Sequence, residues 1–96
     1  MSTFLMFGNY SADSIRSVSE QRTRHVMELV KETGGEILAM YALLGAFDLV
    51  VVIKLPRFED AANLSMLMSQ SLGITFSTMP AIPVREFEEL TKGSSQ

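Results

Sequence analysis

A carboxylate inside an oily run is the first residue in this chain that could do chemistry. Asp48 stands in LLGAFDLVVVI, residues 43–53, within an apolar stretch from Ile37 to Leu55 broken only by Gly45, Asp48 and Lys54. Burial raises the proton affinity of such a group and can make it a general base, with Tyr41 as a nearby hydroxyl. The plainer reading, which is favoured, is that Asp48 accepts hydrogen bonds from turn amides around Gly45 and Ala46, a common role of Asp at hairpins. His25 is the single histidine. An imidazole can shuttle protons or ligate haem, but no partner for it is legible, and its place between Arg24 and Val26 puts it at a solvent boundary. Asn9, Tyr10, Tyr41, Phe47 and Asp48 form the candidate ligand-binding set, aromatic walls with a few polar groups of the kind that hold an apolar or aromatic small molecule. Ordinary interface packing explains the same aromatics and is preferred. With one histidine and no cysteine, neither a dedicated metal site nor a bound cofactor is expected.

Composition narrows the function classes. A chain of 96 residues is one domain near the lower end of what buries a useful core unaided, so partner subunits are a natural supplement. The apolar fraction is 47%, the charged fraction 20% and the net charge −3, as in an acidic globular domain. The eight Lys and Arg residues are scattered, with no basic stripe and no interleaved aromatics, which argues against nucleic acid. MSTFLMFGNYS lacks a basic n-region and its apolar run is short, so a secretory signal is not expected and the cytoplasm is. The Ile37 to Leu55 stretch is long enough to span a bilayer by count. Asp48 at its middle would cost roughly 3 kcal/mol on insertion, and the β-branched run from Val50 to Ile53 favours strand. Two strands joined at Gly45 are the better reading, and no membrane partner is expected.

The elements that would position these residues follow from periodicity. Thr3 to Tyr10 reads as a first strand. Ser11 or Ser14 can start a helix whose stripe is Ile15, Val18, Arg22, Val26, Leu29, Val30 and Thr33, stopped by Gly34 and Gly35. Glu36 to Leu43 and Phe47 to Leu55 read as an antiparallel hairpin turning through Leu44, Gly45 and Ala46. Arg57 to Leu72 is a second helix, with Glu59 and Asp60 in its first turn. Ile74 to Ala81 is a fourth strand, and VREFEELTK a short terminal helix. The methionines Met27, Met40, Met66, Met68 and Met79 read as adaptable core filler, and Glu86, Glu88 and Glu89 as a solvated helix face. Residues 1–92 make a single domain and 93–96 a flexible tail. The order β-α-β-β-α-β is the split βαβ arrangement of α+β, ferredoxin-like domains with a four-stranded antiparallel sheet.

Two helices cover one face of such a sheet, yet its strands are apolar on both. Val50 and Val52 oppose Phe47, Leu49, Val51 and Ile53, while Leu5 and Phe7 oppose Phe4 and Met6. A second layer has to come from elsewhere, most economically from another subunit, so a homo-oligomer of dimer size or larger is expected.

Four segments give the chain a likeness: the first strand ending at Asn9 and Tyr10, GGEILAMY from Gly34, LGAFDLVVVIKLP from Leu44, and the alanine-containing second helix. Up to about Ala81 it resembles the GYD-domain family of small bacterial and archaeal proteins. It departs from that pattern with Phe47 in place of a tyrosine and Asn9 in place of a lysine. The resemblance implies a dimeric α+β barrel, ferredoxin-like subunits paired sheet to sheet. That group spans cofactor-independent monooxygenases, haem-degrading enzymes and small ligand-binding regulators, so the fold does not choose among them. The reading taken forward is a non-enzymatic interaction or small-ligand-binding module. The alternative is a cofactor-independent, monooxygenase-like enzyme using Asp48, Tyr41 or His25.

Overall fold

A computed structural model describes residues 1–14 and 20–94. The chain runs β1 (Ser2–Tyr10), α1 (Glu20–Glu32), β2 (Glu36–Ala42), β3 (Leu49–Leu55), α2 (Phe58–Leu72), β4 (Ile74–Ala81) and α3 (Val84–Ser94). The four strands form one antiparallel sheet in the order β2-β3-β1-β4. This is the expected α+β, ferredoxin-like architecture, with α3 added at its end. Ile15 and Val18 of the expected first-helix stripe lie outside the described residues.

Alternation along each strand divides the side chains between two faces. Phe4 and Met6 of β1, Leu49, Val51, Ile53 and Leu55 of β3, and Ile74 of β4 are buried on the helix face. There they meet Val26, Leu29 and Val30 of α1 and Ala61, Leu64 and Met68 of α2 in one core. The remaining stripe positions end differently: Arg22 is only half-buried, and Phe58 and Ala62 are exposed. Of the methionines read as core filler, Met68 is buried and Met40 packs on the core from its edge, but Met27, Met66 and Met79 are exposed. Met6 of β1 is the other fully buried methionine among the described residues. Periodicity cannot separate a helix's inward stripe from its flanks when both are apolar.

The helix ends follow local chemistry. α1 stops at Gly34, whose φ of +83° is left-handed, with Gly34 and Gly35 N–H groups donating to the Lys31 and Val30 carbonyls. α2 starts at Arg57: the Asp60 carboxylate accepts from the Arg57 backbone N–H at 3.0 Å, and the Asp60 N–H donates to the Arg57 carbonyl at 3.1 Å. Hydrogen bonding to Asp60, reinforced by the charges of Asp60 and Glu59, makes the Arg57 guanidinium hold its proton more tightly than a free arginine. Gly73, with φ +66°, closes α2.

The hairpin between β2 and β3 differs from its expected form. The two strands are joined by six residues, Leu43 to Asp48, closed by the Leu43 N–H donating to the Asp48 carbonyl at 2.8 Å. β3 begins at Leu49, and Phe47 lies outside it. Gly45, with φ +147°, makes the bend that an L side chain resists. A register shift between Ile37 and Ala39 inserts a bulge in β2, which leaves Leu38 exposed.

Candidate functional site

The Asp48 carboxylate is held by the strand across the sheet, not by amides of the turn that precedes it. Its backbone N–H donates to the Gly8 carbonyl at 2.8 Å, and its Oδ2 accepts from the Tyr10 N–H at 2.9 Å. The β1–β3 ladder pairs its last residues at Gly8 and Leu49. The carboxylate therefore extends the ladder by one rung, satisfying an amide that the departing β3 backbone cannot reach. The expectation of amides around Gly45 and Ala46 is corrected accordingly: the acceptor role is right, but the donor belongs to β1. Only the tertiary pairing of β3 with β1 brings that donor into reach.

The rest of the candidate set gathers at one end of the sheet but divides between its faces. Tyr10 falls on the helix face, paired with Ile74, and carries the Arg22 guanidinium 4.5 Å above its ring. Arg22 also donates to the Ser14 carbonyl and hydroxyl and, at 3.3 Å, to the Leu72 carbonyl, so it ties α1 to the C-terminal end of α2. A cavity of about 20 Å³ between Tyr10, Arg22, Val26, Met40 and Ile74 has room for roughly one water. Tyr41, 60% exposed, stands on the opposite face beside Val50, and Asn9 is exposed on that face too. Phe47 packs its ring 5.2 Å from that of Phe7 on the open face, opposite to the side expected from its parity with Leu49. Its position in the loop releases it from strand alternation. His25 is exposed on α1. Among the described residues no three His, Asp or Glu side chains cluster as metal ligands would.

What the fold does assemble is a surface. On the open face, cross-strand pairing sets Tyr41, Val50, Phe7 and Ser77 in one row and Ala39, Val52, Leu5 and Met79 in the next. Thr3 and Lys54 begin the third row, where the face turns polar. Seven of the nine side chains formed by the first two rows and Phe47 are apolar or alanine, Tyr41 and Ser77 being the others. Leu44, fully exposed at the loop tip, prolongs the surface at one end. α3 presents a second apolar surface: Val84, Phe87 and Leu90 are all exposed and recur every third residue. That spacing was visible in VREFEELTK, where the run of glutamates drew attention to the other side of the helix.

The stretch that mimicked a membrane span is thus two strands and a loop, and among the described residues no helix is long and apolar enough to cross a membrane. The sequence profile of the GYD domain matches residues 4–91. A Thermus thermophilus protein named "Glutamine synthetase and cystathionine beta-lyase binding protein" is 33% identical over 92 residues, spanning 90% of this chain and 94% of that protein.

Proposed function

The chain belongs to the GYD-domain family, and from that premise we propose that it is a protein-interaction module that associates with copies of itself through the open sheet face. The observation that carries this reading is the pair of apolar rows around Val52 and Leu5, which α1 and α2 leave uncovered. A solvated antiparallel face ordinarily alternates to polar residues. Covering Leu5, Phe7, Phe47, Val52 and Met79 with a second sheet contributes on the order of 1–2 kcal/mol each. Their sum exceeds the lower end of the association cost and falls short of its upper end, so shape complementarity decides the affinity.

The name of the Thermus protein says that it binds two enzymes, and this chain fits the same kind of role, with protein partners of its own. Glutamine synthetase and cystathionine beta-lyase are the first candidates to test. Any small molecule enclosed between two such faces would meet Leu5, Phe7, Val52 and Tyr41, and would be apolar or aromatic. A catalytic reading is less supported, because Tyr10 and Tyr41 lie on opposite faces, His25 is exposed on α1 and Asp48 is engaged with an amide.

Val52→Glu tests the assembly. Val52 lies on the open face between Ala39 and Leu5, so a charge there disturbs the single chain little but prevents a second sheet from covering it. Light scattering should give a multiple of the chain mass for the natural protein and a single chain for the variant, with circular dichroism unchanged. A natural protein of single-chain mass at high micromolar concentration would sink the reading.

A further inference from the structure

We infer that α3 is an exchange arm, which lays Ile82, Val84, Phe87 and Leu90 against a second copy of this chain and enlarges the sheet-face contact. The inference rests on the self-association proposed above and names a further part of that interface.

Ile82, Val84, Phe87 and Leu90 are 51%, 72%, 57% and 65% exposed, although α3 is amphipathic. Val84, Phe87 and Leu90 share one side at three-residue spacing and Arg85 and Lys92 fall on the other, while Glu86 and Glu89 flank the stripe and line a hollow with Ile82 and Leu90. An apolar stripe of this kind is laid against something in ordinary domains, and a lone helix of 11 residues is marginal in water without such support. The described residues of its own chain do not supply that support. α3 makes almost no contact with the rest of the described residues. The molecule measures 53 × 30 × 19 Å with a radius of gyration of 14.9 Å, against about 12–13 Å for a compact chain of this length. The link from β4 is only Ile82 and Pro83, and the Phe87 N–H already donates to the Pro83 carbonyl, so the helix begins without slack to fold back.

Position and area identify the occupant as a second copy. α3 leaves β4 at the rim of the open face, where Met79 and Ala81 are the last open-face residues, so its stripe continues a surface already assigned to self-association. Val50 is only 9% exposed and brings little new area, which keeps the sheet contact modest. Four apolar side chains at roughly 100 Å² each, given by both arms and received by both bodies, add on the order of 1,500 Å² and bring the contact well into the range of stable dimers. Two-fold symmetry makes the exchange reciprocal and closed, so it ends at a pair instead of a fibre.

The chain has no cysteine, so Phe87→Cys in the full-length protein carries a single benzophenone maleimide on the stripe, and Arg85→Cys places the same probe on the outer side. Illumination of purified protein should convert the Phe87→Cys sample to a covalent product of twice the chain mass on a denaturing gel, at least five-fold more than Arg85→Cys gives. Leu90→Cys, at the same face, should behave as Phe87→Cys does, which guards against one label blocking the contact. Adducts within one chain only, or equal yields from both sides of the helix, in a sample whose native mass is still multiple, overturn the arm and leave the sheet-face assembly standing. A native mass of one chain overturns both. Illumination in cell lysate that yields an adduct to a different protein in place of the double-mass product also overturns the arm.

Discussion

Asp48 shows how one side chain can finish a sheet. A carboxylate is acceptor-only when ionised, and here it takes the Tyr10 N–H at 2.9 Å, where β3 has already turned away. Asp48→Ala leaves that amide without its partner and should cost about 1–2 kcal/mol, whereas Asp48→Asn keeps an acceptor oxygen and should cost less than half as much. Urea midpoints of the two variants check this ordering, and equal losses would mean that the charge, not the acceptor, matters. The residue was legible in the sequence as a backbone acceptor. Its donor was not, because Tyr10 lies 38 positions away and enters only through strand pairing.

Elements meet closely where α1 hands over to β2. A Cβ on Gly35 would sit 2.5 Å from Leu55 Cδ2 and 2.9 Å from the Lys54 carbonyl oxygen, so part of the obstruction is backbone that cannot rotate away. Gly35→Ala should therefore destabilise by about 1–3 kcal/mol, as overpacking does, measured as a drop in thermal midpoint with the assembly intact. Gly34 and Gly35 announce the helix stop in the sequence, but the second glycine's crowding comes from β3, which no local pattern reports. At the start of α2, the Arg57–Asp60 contact is mostly exposed on the arginine side, so it contributes little energy. Because the Arg57 proton is held more tightly in the folded chain, the arginine keeps its charge through the neutral range and gives it up only as pH rises past that of ordinary arginine titration. Helix α2 should show no pH-dependent loosening from this pair near neutrality.

At the scale of the molecule, folding and association are expected to be linked. A domain that leaves one sheet face and one helix stripe uncovered gains stability from each copy it binds, by mass action. The thermal midpoint of the natural protein should rise as concentration is raised a hundredfold through the micromolar range, and that of Val52→Glu should not move. Scanning calorimetry at several concentrations decides it, and a concentration-independent midpoint in a multi-chain sample would mean that dissociation and unfolding are not coupled.

The sequence by itself determined the order of elements and that the strands are apolar on both faces. These follow from period-two and period-3.6 alternation and from turn residues such as Gly34, Gly45 and Gly73, all of which act over a few residues. Tertiary structure decided which residues share a site. It separated Tyr10 from Tyr41, carried Phe47 across to Phe7, gave Asp48 its amide, and left α3 standing clear of the body. Each of those outcomes depends on strand order, register and loop closure, which bring together residues far apart in the chain and which no local repeat encodes.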